Sequence, residues 1–371
     1  MVFARKYRPK AFDEVVGQSA VVQTLKNALA QKKLHHAYLF IGKFGCGKTS
    51  TARILAASEN CRISPGAHPC GKCDLCKSVF AGTHTDVSEI DAASSAGKVE
   101  QIRELKNSAS FTPIDGAKTK YYIVDEAHRM SAAAEEALLK ILEEPPSRVR
   151  FILCTTEVRQ MRGTILSRCQ VHEFKKIYWR QIAQNLESIS KSEGITIEAD
   201  AINSCAKLSD GSMRNGLQNL EKLVDFAGDK PITAALAQEA FGTASDILFY
   251  RLVEEISKEG TPDATAGYKI INELLTTGMG ASHIFDGISE VLRNILIGVS
   301  ATACGDLITV SEEAKNRLKE QLKRFKPKMR ALVSILQGLV EARTAVEYGQ
   351  GLDVAVQMWF LDSILVYQKG G

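Results

Sequence analysis

The sequence predicts an α/β fold, a parallel sheet with helices on both faces, followed by two all-helical domains. Three observations lead there. Strand-length apolar runs alternate with helical stretches over roughly the first 175 residues, a glycine-rich turn joins the first run to a helix, and the strand signal disappears after Trp179. Apolar strands separated by helices are buried on both faces, which is the condition of a parallel sheet. The 371 residues suffice for two or three domains. A composition 45% apolar and 24% charged excludes a disordered tail, a collagen-like fibre and a coiled-coil rod. No apolar run reaches the roughly eighteen residues of a membrane span. The start, Met1 to Pro9, has no apolar h-region or cleavage site, so a cytoplasmic location is expected.

Taken in order, Ala37-Tyr38-Leu39-Phe40-Ile41 is the first strand, and a helix runs from the following turn to about Ala57. Val87 to Ile90 is the second strand, closed by Asp91, and Tyr121-Tyr122-Ile123-Val124 the third, closed by Asp125-Glu126. A helix over Ala132–Glu144 turns Leu138, Leu139, Ile141 and Leu142 inward and stops at Pro145-Pro146. Phe151-Ile152-Leu153-Cys154 is the fourth strand and Val171 to Phe174 the fifth. Helical spacing then covers Gln181–Ser192, Ala199–Leu208 and Met213–Phe226. Residues 240–371 alternate helical stretches with breaks at Gly260, Gly278-Met279-Gly280, Gly305 and Gly349-Gln350-Gly351, and Gly370-Gly371 is expected to fray.

Gly42-Lys43-Phe44-Gly45-Cys46-Gly47-Lys48-Thr49 matches the P-loop pattern between a strand and a helix. Glycines let backbone N–H groups converge on an anion, and the helix N-terminus adds partial positive charge. Lys48 brings a full charge to the β- and γ-phosphates, and the Thr49 hydroxyl suits Mg²⁺. The complementary acidic residues end a neighbouring strand: Asp125 to hold Mg²⁺ through water and Glu126 to polarise the attacking water. The alternative is that both merely cap the next helix.

Nine cysteines in a chain without a secretion signal argue against a disulfide framework. Cys61, Cys70, Cys73 and Cys76 have the short spacing that lets four thiolates converge on one structural Zn²⁺, with Gly66, Pro69 and Gly71 supplying turns. Redox-active thiols are the alternative, and His68 and His84 are spare ligands. Cys46, Cys154, Cys169, Cys205 and Cys304 read as small buried hydrophobes. The net charge of +4 is uninformative, but its distribution is not. Residues 1–60 carry ten Lys or Arg against three Asp or Glu, and residues 314–330 carry eight against one. Each run is either a solvated face or a phosphate-binding patch.

Further landmarks surround these motifs. Arg5-Lys6-Tyr7-Arg8-Pro9 precedes Phe12-Asp13-Glu14-Val15-Val16-Gly17-Gln18, and His35-His36-Ala37-Tyr38-Leu39-Phe40 leads into the loop. Glu89-Ile90-Asp91-Ala92-Ala93-Ser94, Leu138 to Pro146, and Ile165-Leu166-Ser167-Arg168-Cys169 follow. Over about residues 4–220 the set resembles the bacterial DNA polymerase III gamma/tau family, the ATPase subunits of the sliding-clamp loader. That resemblance implies an AAA+ P-loop ATPase domain at 1–178 with a zinc-module insertion at 58–80, a small helical lid at 179–238, and an all-helical collar for oligomerisation at 239–371. It implies that the chain opens a clamp and loads it on primed DNA during replication, as part of a DNA-directed DNA polymerase assembly. The implied cofactors are ATP, Mg²⁺ and Zn²⁺. The implied partners are other clamp-loader subunits in a hetero-oligomeric pentamer, the sliding clamp and primed DNA, with no membrane.

The resemblance also assigns roles. Arg168 becomes an arginine finger acting on ATP held by a neighbouring subunit, a task suited to a planar, permanently charged guanidinium. Thr155 or Thr156 falls where the family senses the γ-phosphate, and Arg214 where a lid arginine touches nucleotide. Arg8, Pro9 and Val16 lie against base and ribose. Asn215 stands where the family has Asp, and the chain stops soon after the collar, as expected of a short, gamma-like or phage-encoded version. Two competing readings are another AAA+ DNA-remodelling ATPase and a non-hydrolysing scaffold subunit. The zinc insertion and Ser167-Arg168-Cys169 oppose the first, and the complete loop with Asp125-Glu126 opposes the second.

Overall fold

The computed structural model describes residues 3–65, 68–93, 112–114, 116–241, 246–258, 264–276, 280–300 and 312–369. Gly66, Ser94, Gly260, Gly278-Met279, Cys304, Gly305 and Gly370-Gly371, all singled out above, lie outside these residues. The chain divides into two compact units, Met1–Ala234 and Ala235–Gly371. No helix among the described residues is long and apolar enough to cross a membrane.

The first unit holds a five-stranded sheet in the order β2-β3-β4-β1-β5, every pair parallel. The strands are β1 Ala37–Gly42, β2 Val87–Asp91, β3 Lys120–Asp125, β4 Val149–Thr155 and β5 Gln170–Phe174, each within two residues of its sequence-predicted bounds. Alternate side chains feed two cores. Tyr38, Phe40, Tyr121, Ile123 and Ile152 face one layer, while Leu39, Tyr122, Val124, Phe151 and Leu153 face the other. The helix Ser19–Ala30, absent from the sequence-based expectation, covers the first layer with Val21, Val22, Leu25 and Leu29. The helix Ala132–Glu143 covers the second with Ala134, Leu138, Ile141 and Leu142.

Beyond the sheet, helices Trp179–Glu193, Ala199–Lys207 and Met213–Ala227 follow the predicted spacing. A single bridge, Ile197 to Ile232, adds a scrap of β-structure that the sequence did not signal. Among the described residues the second unit is entirely helical. Its core gathers Phe249, Leu252, Phe285, Leu292, Phe325, Trp359 and Phe360, and the Trp359 indole donates to the Ile335 carbonyl at 3.0 Å.

The P-loop helix, Lys48–Asn60, owes its fit against the sheet to small residues: Ala52, Ala56 and Ala57 are fully buried. Polar groups pin its far end. The Asn60 amide accepts from the Lys118 and Thr119 N–H groups and donates to the Thr119 carbonyl. Glu59 receives both the Nε and an Nη of Arg150 at 2.7 Å, and also the Tyr121 hydroxyl. Burial works against the Arg150 charge, but its bonds to Glu59 outweigh burial and hold the guanidinium above its ordinary value. Burial and the Glu59 charge push the Tyr121 phenol well up. Arg150→Ala is expected to cost about 3 kcal/mol, because it strands a carboxylate only 18% exposed. Urea unfolding followed by circular dichroism measures this; a loss below about 0.5 kcal/mol would reduce the pair to an ordinary surface contact.

Candidate active site and metal centre

The P-loop begins where β1 leaves the sheet between β4 and β5. Gly45 and Gly47 adopt φ of +74° and +102°, the region that L side chains resist. At Gly45 the lack of a side chain is also a packing need, since a Cβ there would lie 2.0 Å from the Ser212 hydroxyl. Lys48 opens the helix and is buried, its ammonium donating to the carbonyls of Gly42 at 2.7 Å and Lys43 at 3.0 Å. The Cys46 thiol, pushed up by burial, donates to the Lys43 carbonyl and helps shape the loop.

β3 ends two strands away and delivers its acidic pair to the loop. The Thr49 hydroxyl donates to Asp125 Oδ2 at 2.7 Å, joining the two residues the sequence offers for Mg²⁺. Glu126 turns with φ of +49° at the strand end, and its carboxylate accepts from the Thr156 hydroxyl at 3.1 Å. Thr156 is the first residue past β4, so it stands beside the acidic pair. Thr155 is fully buried and accepts from the Glu157 N–H, so of the two candidate threonines only Thr156 is hydrogen-bonded to Glu126. His128, unremarked in the sequence, places Nδ1 3.1 Å from Thr155 Oγ1 and 3.5 Å from the Glu126 carboxylate.

Other parts of the first unit close around this loop. The Met213 N–H donates to the Gly45 carbonyl at 3.1 Å, at the start of the helix Met213–Ala227, which Ser212 caps by accepting from the Asn215 N–H. The Arg214 guanidinium lies 4.8 Å from the centre of the exposed Phe44 ring. Lys43 pairs with Asp210 at the surface. Gln18 is buried and donates to the Lys175 carbonyl at 2.7 Å and the Cys46 carbonyl at 3.4 Å. Arg8, Pro9 and Val16 are half-buried. Burial lowers the Arg8 guanidinium from its ordinary value, as do the charges of Arg53 and Arg214, while Glu89 and Asp125 oppose them. Those four charges come from positions spread over residues 53 to 214, far from Arg8 in sequence.

Arg168 lies apart. Tyr38 pairs with Gln170 and Gly42 with Phe174, so Arg168 stands six residues, about 20 Å of strand, from the start of the loop. Its guanidinium donates to Glu143 at 2.8 Å and to the Thr164 carbonyl at 2.9 Å, in a solvent-facing pair.

The cysteine cluster is also separate, at the other end of the P-loop helix, about 20 Å from Lys48. The Sγ atoms of Cys61, Cys70, Cys73 and Cys76 all lie within 4.8 Å of one another. Four thiolates about 2.3 Å from one tetrahedral ion lie about 3.8 Å apart, which this spacing admits, so the cluster fits a metal ion. N–H groups of Ser64 and Cys70 point at the Cys61 sulfur, that of Cys73 at Cys70, and that of Cys76 at Cys73. Burial opposes ionisation of Cys61, but these donors outweigh it and lower the thiol. The Cys73 N–H leads in lowering Cys70, and burial pushes Cys76 up. His84 is taken by the Asp86 N–H, which removes it as a spare ligand. Cys46, Cys154, Cys169 and Cys205 are buried, as expected of small hydrophobes.

Comparison with known proteins adds to this geometry. The family model described as DNA polymerase III, delta subunit, matches residues 17–178. DNA polymerase III subunit tau of Bacillus subtilis is 39% identical over 295 residues, which cover 79% of this chain and 51% of that one. DNA polymerase III subunit gamma of Buchnera aphidicola is 37% identical over 259 residues, 70% of this chain and 69% of its own. A solved Thermotoga maritima RuvB variant aligns over 72% of this chain at 19% identity, with a TM-score of 0.48. The chain spans about half the length of the tau relatives it matches.

Gly45→Ala is expected to part the loop from the helix Met213–Ala227, because the left-handed backbone alone costs about 1–2 kcal/mol and the methyl strikes Ser212. Hydrogen exchange reads this directly. The Met213 amide should exchange faster by about tenfold or more, a factor that follows from such a cost, and unchanged protection would contradict the contact.

Proposed function

The chain belongs to the DNA polymerase III gamma/tau family, and from that premise we propose that it is an ATP-hydrolysing subunit of a sliding-clamp loader, one that opens a ring-shaped clamp and delivers it to primed DNA. The observation that carries this reading is the convergence of Lys48, Thr49, Asp125, Glu126 and Thr156 at one end of the sheet, joined by the Thr49–Asp125 and Thr156–Glu126 hydrogen bonds. A helix capped by Asp125-Glu126 alone would not require Thr49 to reach across two strands.

In this reading the loop N–H groups and the helix N-terminus receive the phosphates, and the Lys48 ammonium turns from the Gly42 and Lys43 carbonyls to the β- and γ-oxygens. Thr49 and Asp125 are the residues that would hold Mg²⁺, which offsets phosphate charge when bound. Glu126 orients the attacking water, and Thr156 holds that carboxylate until the γ-phosphate competes for its hydroxyl. Arg8, Pro9 and Val16 receive base and ribose, and Arg214 meets the nucleotide from the lid, residues 179–238. The Gly45–Met213 hydrogen bond gives the lid a direct hold on the loop. Residues 239–371 serve as the collar that assembles the chain with other loader subunits in a pentamer, in the cytoplasm. The cysteine cluster holds one structural Zn²⁺ that braces the far end of the P-loop helix.

Arg168 acts in trans. Some 20 Å of strand separates it from its own loop, and its exposed pair with Glu143 is of the kind worth under about 1 kcal/mol, so a neighbour's phosphates can displace it. The test is subunit mixing within the assembled loader, following ATP hydrolysis stimulated by clamp and primed DNA. Lys48→Ala and Arg168→Ala chains are each expected to lose about 10³-fold or more in rate. Mixed, they should regain activity where an intact loop meets an intact finger. No recovery, together with a lower melting temperature for Arg168→Ala alone, would leave Arg168 as a structural residue.

The metal assignment has its own measurement. One Zn²⁺ per chain should co-purify, and Cys73→Ser should release it. A metal-free native protein with four alkylatable thiols would reject the site.

A further inference from the structure

The C-terminal unit carries a charged surface that nucleotide hydrolysis does not use. The helix Glu312–Phe325 buries Ala314, Leu318, Gln321 and Phe325 in that unit's core. Its opposite side exposes Lys315, Lys319 and Lys323 at four-residue steps, and Lys326 and Arg330, in the turn and the helix that follow, are exposed as well. Several cations of the segment, Lys315 among them, are engaged within the chain. Arg317 pairs with Glu254 at 2.7 Å, Arg324 reaches Ser257, and Lys328 donates to the Tyr367 carbonyl while lying over its ring. Lys319, Lys326 and Arg330 have no carboxylate partner among the described residues, and Lys323 has only the exposed Glu320 beside it.

We infer that this row is a docking surface for the phosphate backbone of a nucleic-acid strand. Each four-residue step along the helix advances about 6 Å, roughly one nucleotide of extended strand, so successive lysines meet successive phosphates. The row is held rigidly where the helix ends. Phe325 is fully buried edge-on against Tyr367, whose hydroxyl donates to the Arg324 carbonyl. Little side-chain scaffolding therefore has to be ordered on binding. A membrane surface does not suit it, because an interfacial helix needs its apolar face outward and this one is turned into the core. A protein partner would call for aromatic or aliphatic anchors, and over residues 315–323 the exposed positions between the lysines are Asn316 and Glu320. Contacts of this kind follow charge and not base sequence.

The choice of DNA as probe rests on the clamp-loader reading, so the two are measured separately. A fluorescein-labelled oligothymidylate is titrated with the 371-residue chain over a range of salt. Replacing Lys319, Lys326 and Arg330 by Gln should weaken binding by about tenfold or more at low salt. It should also flatten the log K against log salt slope by about 2, at roughly 0.7 per phosphate contact on a single strand. Lys319→Arg with Lys326→Arg should keep both. ATP hydrolysis without DNA should stay at the parent level in the Gln variant, so a failed nucleotide assignment shows up in the parent chain itself. An unchanged slope in the Gln variant would overturn the proposal. So would tighter binding of a polyglutamate peptide than of the oligonucleotide at equal salt, which would make the row a site for an acidic protein.

Discussion

Parallel strands all point one way, and the candidate site depends on that constraint. Because β1, β3 and β4 run in the same direction, Gly42, Asp125 and Thr156 leave the sheet on the same edge, although more than a hundred residues separate the first from the last. Crevices at the carboxyl ends of such strands are where α/β sheets place ligands. The opposite edge carries a second set of polar groups. Glu59, Arg150 and Tyr121 form their network there, and Arg168 enters β5 from that side.

Much of this was legible in the sequence. Buried parallel strands read as uninterrupted apolar runs, which is why Tyr38 to Ile41 and Phe151 to Cys154 stand out without any alternation. The P-loop was legible because its glycines answer to backbone geometry, a local property. The cysteines were legible because their spacing is short. What stayed hidden depends on partners far apart in the chain. Gln18 binds Lys175, Arg8 feels Arg214 and Asp125, and Met213 meets Gly45. No window of sequence holds both members of any of these pairs. The helix Ser19–Ala30 escaped for a different reason. Its buried positions Val21, Val22, Leu25 and Leu29 have helical spacing, but polar residues and a β-branched pair dilute the pattern.

The pair of threonines at the end of β4 shows how finely the backbone decides. Thr155 and Thr156 are chemically the same, and the strand's two-residue period sends neighbouring side chains to opposite sides. One is sealed in the core and spends its hydroxyl on Glu157 and His128, and the other reaches the Glu126 carboxylate. Composition and motif leave such a choice open, and only the register of β4 against its neighbours makes it.

The P-loop helix is fastened unequally along its length. At its C-terminal end, Asn60 and Glu59 lock it to the sheet with hydrogen bonds and a bidentate ion pair. At its N-terminal end, the Gly45–Met213 hydrogen bond, the exposed Lys43–Asp210 pair and the Arg214–Phe44 contact tie the loop to residues 210–214, and Thr49 bonds Asp125 at the end of β3. Mechanically the helix is a beam clamped at one end and lightly latched at the other. A load applied at the latched end meets the clamp at the other and cannot slide the beam. It is shared between the helix that begins at Met213, through Gly45, and the end of β3, through Thr49 and Asp125.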